Sequence, residues 1–242
     1  MFLKTVKSIL AYCLGKVAAV QRRFDLIIFD LDGTLIDNRV AIRQNLNHAL
    51  GLHGFPQLRD QEIDAMVGTP LLEILQKILP ESSRYLAPQL VDAYVRRYVK
   101  TSHVGTVALE GVIPTLDQLR KEGFRLAIAT TKRDDTVAPL LQKIGLLQYF
   151  DLVTGRMEGM RNKPNPDMLQ YVMKKLNVTP QRTAMVGDTP IDIMTARNAG
   201  VYAVAVTSSV QLGMTTLDRI CDAKPDRIIG SLRELQDHLH TR

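Results

Sequence analysis

Leu26-Ile27-Ile28-Phe29 is a short unbroken apolar run that stops at Asp30 and Asp32. A run of this length without polar interruption suits a strand buried on both faces, as in a parallel sheet. Comparable runs recur at 124–130, 150–154, 183–187, 201–206 and 227–229. Between them, apolar residues return at helical spacing over 113–122, 136–144, about 165–176 and 190–199. Gly145 and Gly200 stand where two of these helices should end, and Leu232 to Leu239 closes the pattern. Strand and helix in alternation predict an α/β fold built on a parallel sheet.

Residues 39–103 break that rhythm. Asn38 can cap a helix carrying Val40, Leu46, Ala49 and Leu50; Leu58 to Val67 follows, closed by Gly68. Thr69-Pro70 opens Leu71 to Leu79, and Leu86, Leu90, Tyr94, Val95, Tyr98 and Val99 mark a further helix. The expectation is an all-helical domain, 39–106, inserted into a core formed by 24–38 and 107–242, with hinges near Asp37 to Arg39 and Val104 to Glu110. Residues 1–23 form an extension with Leu3, Val6, Leu10, Cys13, Leu14 and Val17 at helical spacing. The expectation there is an amphipathic helix or a disordered extension, too short in its apolar runs to span a bilayer.

Charge changes the picture only at that extension. Lys4, Lys7, Lys16, Arg22 and Arg23 meet no acidic residue before position 24, which leaves +1 of the formal +6 for the other 219 residues. The body is nearly neutral and lacks a basic stripe interleaved with aromatics, so a nucleic-acid partner is not expected. The basic, amphipathic extension suits peripheral contact with an anionic membrane or a protein partner. Cys13 and Cys221 stand alone, without the spacing of a disulfide framework or a zinc site, which fits a reducing, cytoplasmic setting.

The chemistry gathers where the apolar runs end. Asp30 and Asp32 follow the first strand, Thr130 closes the run Leu126-Ala127-Ile128-Ala129, and Gly187-Asp188-Thr189-Pro190-Ile191-Asp192 follows Ala184-Met185-Val186. Carboxyl ends of parallel strands are where open α/β sheets bind ligands, and Gly33 lets the backbone turn tightly there. Asp-Leu-Asp-Gly-Thr-Leu at 30–35, Thr130, Lys163-Pro164 and Gly187 to Asp192, in this order, resemble the four motifs of the haloacid dehalogenase superfamily of phosphotransferases. The resemblance covers about residues 24–240 and implies a Rossmann-like core. Asp30 would be the nucleophile that becomes an aspartyl phosphate, and Asp32 the general acid and base. Thr130 and Lys163 would receive the phosphoryl charge. Magnesium would be held by Asp30, Asp188 and the backbone carbonyl of Asp32.

Gly33, Thr34, Thr131 and Asp192 are supporting candidates, with Asp192 one helical turn from Asp188 and placed to hold the lysine or a metal-bound water. Many relatives have Asn where this chain has Thr131, and dehalogenating members have a different residue at the place of Asp32. The helical insert falls where one branch of the family carries a cap, whereas only 32 residues separate Thr130 from Lys163, too few for a second one.

The resemblance implies a magnesium-dependent phosphatase for a small phosphorylated metabolite, most like the phosphoglycolate phosphatase group. A pyrophosphatase, a nucleotide or sugar-phosphate phosphatase and a sugar-phosphate mutase share the same residues. From another class, a non-catalytic phosphate-binding regulator is the alternative, disfavoured because nucleophile, acid, lysine and metal aspartate are all present. Arg43, His48, Gly68, Thr69 and Arg97 are candidate specificity residues in the insert.

Overall fold

The structure is a computed structural model that describes residues 22–67 and 69–240. Expectations that fall on residues 1–21 or on Gly68 lie outside the described residues. No helix of the described residues is long and apolar enough to cross a membrane.

Six strands form one sheet: β1 (Leu26–Phe29), β4 (Arg125–Arg133), β5 (Leu152–Arg156), β6 (Thr183–Gly187), β7 (Tyr202–Val206) and β8 (Arg227–Ile229). Their order is β5-β4-β1-β6-β7-β8, and every neighbouring pair is parallel. The chain runs outward from β1 through β4 to β5, then crosses to β6 on the other side of β1. That reversal opens a crevice at the carboxyl ends of β1, β4 and β6, the place where such sheets bind ligands.

Side chains of β1 alternate between two cores. Ile27 and Phe29 pack with Leu116 and Leu119 of α5 (Val112–Lys121) and with Leu140 and Leu141 of α6 (Asp134–Lys143). Leu26 and Ile28 face Leu169 and Val172 of α7 (Asp167–Leu176) and Ile193 and Ala196 of α8 (Pro190–Ala199). All four β1 residues are fully buried, which explains why the strand reads as an uninterrupted apolar run.

Residues 39–101 are helical: α1 (Arg39–Leu52), α2 (Asp60–Asp64), α3 (Leu71–Ile78), a 3-10 turn at Glu81–Leu86, and α4 (Ala87–Thr101). They gather a third apolar cluster around Leu46, Leu50, Ile63, Leu75 and Leu90. Where the chain enters and leaves this block, β2 (Ile36–Asp37) and β3 (Val107–Ala108) pair antiparallel, Ile36 opposite Ala108 and Asp37 opposite Val107. Two-residue strands carry no periodicity, and the hydropathy pattern gave no sign of them. The helix expected over Leu58 to Val67 is regular only over Asp60–Asp64 and continues as turns. Asn38 stands at the N-cap of α1, but its side chain makes no capping bond there and is drawn instead to Asp32 and Tyr98.

Candidate active site

The backbone just past β1 builds the centre of the site. Asp30 extends the strand's ladder by donating its N–H to the Val186 carbonyl at 2.9 Å, and the chain then turns, with the Gly33 N–H donating to the Ile36 carbonyl at 2.9 Å. Gly33 has φ +82°, and a Cβ there would lie 2.3 Å from Asp188 Oδ2. Only glycine meets both conditions without strain. Gly33→Ala is expected to cost about 1–3 kcal/mol of unfolding free energy. Urea denaturation measures it, and an unmoved midpoint would mean that the turn relaxes around a methyl group.

From the far side of β1, β6 delivers Asp188 and then α8. Thr189 caps α8, its hydroxyl oxygen accepting the Asp192 N–H at 3.4 Å, while that hydroxyl donates to Asp192 Oδ2 at 2.6 Å and the Thr189 N–H to the same oxygen at 3.1 Å. This arrangement needs Asp192 pressed against the end of β6, and Gly187 permits it, since a Cβ on Gly187 would sit 2.3 Å from that of Asp192. The other oxygen of Asp192 meets Lys163. Lys163 Nζ lies 2.7 Å from Asp30 Oδ1 and 2.7 Å from Asp192 Oδ1, and the lysine side chain is 1% exposed.

Asp30, Asp188 and Asp192 bring carboxylate oxygens within 4.8 Å of one another. Burial, only partly offset by Lys163, lifts the Asp30 carboxyl to about 7, with Asp192 and Asp32 adding to the rise. Burial together with Asp192 and Asp30 also raises Asp188 well above the ordinary range. For Lys163 burial works against the charge, but Asp192 and Asp30 outweigh it and hold the ammonium above its usual value. Asp188 Oδ1 accepts from the Thr34 hydroxyl, whereas its Oδ2 is buried with no partner. Three buried carboxylates facing one ammonium, with one oxygen orphaned, fit a hard divalent cation that takes oxygen ligands. The Ser209 hydroxyl donates to the Asp188 carbonyl and the Ser208 hydroxyl to the Gly33 carbonyl, tying the short helix Ser208–Gln211 after β7 to both acidic turns.

Asp32 points elsewhere. Its Oδ2 is 2.9 Å from Lys132 Nζ, and its Oδ1 accepts from Asn38 Nδ2 at 2.8 Å. Lys132 Nζ also donates to the Tyr98 hydroxyl at 2.9 Å and lies 5.0 Å from the centre of that ring. Burial opposes the charge on Lys132, and Asp32 and the two tyrosines Tyr98 and Tyr94 more than restore it. Asp32 is thus joined to α4 of the helical block through Tyr98. Lys132 was not singled out in the sequence, and Asn38 and Tyr98 entered it only as a helix cap and as part of a helical pattern. The available hint was that Lys132 sits two residues beyond Thr130, on the part of β4 that runs past the expected strand end through a register shift between Ala129 and Arg133.

Thr130 is buried, accepts the Lys132 N–H at 3.4 Å, and borders one cleft with Thr131, Asp30, Asp32, Lys163 and Asp192. Thr69 also lines it. Arg43, by contrast, is engaged by Asp64 and, at 2.9 Å, by Asp60, and neither it nor His48 borders the cleft. Arg97 is likewise absent from its walls, and its Nε is buried without a partner.

The sequence model of a family described as haloacid dehalogenase-like hydrolase matches residues 27–206, which contain every group of the acidic cluster and of the Asp32 network. The chain belongs to this family. As a haloacid dehalogenase-like hydrolase it is 32% identical over 225 residues to a phosphoglycolate phosphatase of Vibrio vulnificus, a match spanning 90% of this chain and 96% of that protein. It is also 32% identical over 215 residues to pyrophosphatase PpaX of Bacillus velezensis, across 88% of this chain and 95% of that one. A solved haloacid dehalogenase-like family hydrolase from Streptococcus pneumoniae superposes with TM-score 0.79 at 22% identity, over 89% of this chain and 98% of the other, a likeness of fold.

Proposed function

We propose that this hydrolase is a magnesium-dependent phosphatase of small phosphate monoesters, with Asp30 as nucleophile. The observation that carries the reading is the buried cluster in which Lys163 bridges Asp30 and Asp192 while Asp188 keeps one oxygen unpartnered. Asp30, Asp188 and the Asp32 carbonyl would hold the magnesium, whose positive charge offsets the repulsion between these carboxylates and a phosphate dianion. Asp192, with both oxygens engaged by Lys163 and Thr189, is a positioning residue for the lysine.

In the proposed reaction a carboxylate oxygen of Asp30 bonds to phosphorus as the ester P–O bond breaks, and the departing alcohol oxygen takes a proton from Asp32. Water then bonds to the same phosphorus and gives its proton back to Asp32, while the bond between Asp30 and phosphorus breaks to release inorganic phosphate. Thr130 and Lys163 hold the phosphoryl oxygens through both steps. Asp32, fixed by Asn38 and Lys132, faces the helical block, so the alcohol leaves toward residues 39–106. We read that block as a cap, the core as 24–38 with 107–242, and the β2–β3 pair as the passage between them. Closure of the cap would exclude water from the leaving group.

The named relatives favour phosphoglycolate or pyrophosphate as first substrates to try. Phosphate release from a panel of small esters and pyrophosphate, with magnesium or with EDTA, tests the reading; turnover unaffected by EDTA would overturn the metal assignment. Asp188→Asn is expected to raise the magnesium needed for half-maximal rate at least about tenfold. An unchanged magnesium titration would remove Asp188 from the ligand set.

A further inference from the structure

Between the helical block and the core lies a cavity of about 120 Å³ that reaches Asp32. Asp32 serves the departing oxygen in the proposed reaction, so whatever is attached to that oxygen enters this space. Aliphatic side chains line part of it, but Ile42, Leu46, Leu71, Ile74 and Val91 belong to the helical block's own apolar cluster and set no preference by themselves. The charged part of the lining is one-sided. Among the described residues Asp32 is its one acid, against Lys132, Arg133 and Arg156. Lys132 is matched by Asp32 at 2.9 Å and Arg133 by Asp135 at 2.7 Å.

Arg156 is left over. It closes β5 opposite Arg133 of β4, and its place is fixed by the preceding residue, since the Gly155 N–H donates to Asp134 Oδ1 at 2.8 Å. Asp134, Asp135 and Glu158 border its outer side, yet no carboxylate of the described residues comes within 4.0 Å of its guanidinium as an ion pair. The hydroxyls of the cavity add donors. Tyr98, 3% exposed, accepts from Lys132 Nζ at 2.9 Å and from Asn38 Nδ2 at 3.3 Å. A phenol oxygen has one proton to give, and both of these contacts use it as an acceptor, so the Tyr98 proton is left to donate. Tyr94 stacks on Tyr98 with ring centroids 5.1 Å apart, and among the described residues no acceptor meets its hydroxyl.

We infer that Arg156, with the hydroxyls of Tyr94 and Tyr98, reads an oxyanion on the leaving alcohol, so that the favoured substrates carry a carboxylate or a second phosphate beyond the ester oxygen. This rests on the phosphatase reading and deepens it by naming the residue that selects the substrate. A hydrocarbon filling the cavity would strip water from three unspent donors and replace none of their bonds, which costs free energy. An oxyanion satisfies them, and its bond to the guanidinium is charge-assisted and planar, the strongest of the set.

The test compares, on the full chain with magnesium, the phosphate esters of 3-hydroxypropionate and of 3-hydroxypropanamide. The two are nearly the same size, and the acid has the poorer leaving group, so a preference for it reports recognition and not reactivity. The acid should be favoured at least about tenfold in kcat/KM. Propane-1,3-diol bisphosphate, set beside the acid, tells whether carboxylate or phosphate is read better. Arg156→Gln, or Arg156→Met if the first does not fold, should bring the acid-to-amide ratio below about threefold, because the remaining hydroxyls make only neutral-donor bonds. A ratio near one in the wild-type protein, or a ratio that survives the loss of the guanidinium, overturns this inference while the phosphatase reading stands. Failure to hydrolyse any of the esters sinks the phosphatase reading, and this inference with it.

Discussion

Asp30→Asn is expected to abolish phosphate release, lowering kcat by at least about 10⁴-fold, while the protein folds normally. An amide of the same shape cannot form the acyl phosphate, so the loss falls on the chemical step and not on substrate binding. Stability should move the opposite way. With magnesium chelated, wild-type Asp30 is a buried carboxyl whose value is raised to about 7, chiefly by burial. Folding then favours its protonated form. Above pH 7 the carboxylate is ionised in both states and the folded protein bears the full cost of burying it. Below about pH 4, the ordinary carboxyl value, both states are protonated and the cost vanishes. Asp30→Asn should therefore melt higher than wild type in EDTA at pH 8, with the gap closing as pH falls from 7 toward 4. Turnover at more than a hundredth of the wild-type rate would dismiss Asp30 as nucleophile. A variant less stable than wild type at pH 8 would show that Lys163, not burial, governs this carboxylate.

The sheet was readable before the structure because parallel strands covered on both faces leave a direct mark. Leu26 to Phe29 and Thr183 to Gly187 are buried at every position, so no charged residue interrupts either run. The ends of those runs gave the positions of Asp30 and Asp188, and fold topology brings such ends together across 158 residues of chain. What escaped was set by partners distant in sequence. Lys132 has the appearance of a solvated loop lysine, and only Asp32 and Tyr98, reached by tertiary folding, make it a buried ion-pair member. Asn38 looks like a helix cap because its type and place suit one, yet the carboxylate of Asp32, six residues earlier, claims its amide. A charge-assisted bond in a buried setting outcompetes a capping bond that water can replace. The β2–β3 pair is too short for any period to show.

Lys163→Met should bring the largest loss of stability of any single change at the site, because it removes the one cation that the structure places between Asp30 and Asp192. Both oxygens it bridges are buried, at 2.7 Å from the ammonium. Breaking a buried pair by deleting one partner typically costs about 3–5 kcal/mol, since the remaining charge stays uncompensated. Urea unfolding in EDTA should show a loss of this order, and phosphate release with saturating magnesium should fall by at least about 10³-fold. Two causes could produce that second effect: a site collapsed by unpaired carboxylates, or a missing positive charge on the phosphoryl oxygens. The double variant Lys163→Met with Asp192→Asn separates them. Asparagine at 192 can still accept from Thr189 through its amide oxygen and keep the cap of α8, while one of the two stranded charges is gone. Stability should then recover by about half or more, and turnover should stay low, because nothing replaces the ammonium beside the transferring group. If turnover returned along with stability, Lys163 would be a counter-ion that holds the acidic turns together and would have no part in the chemistry.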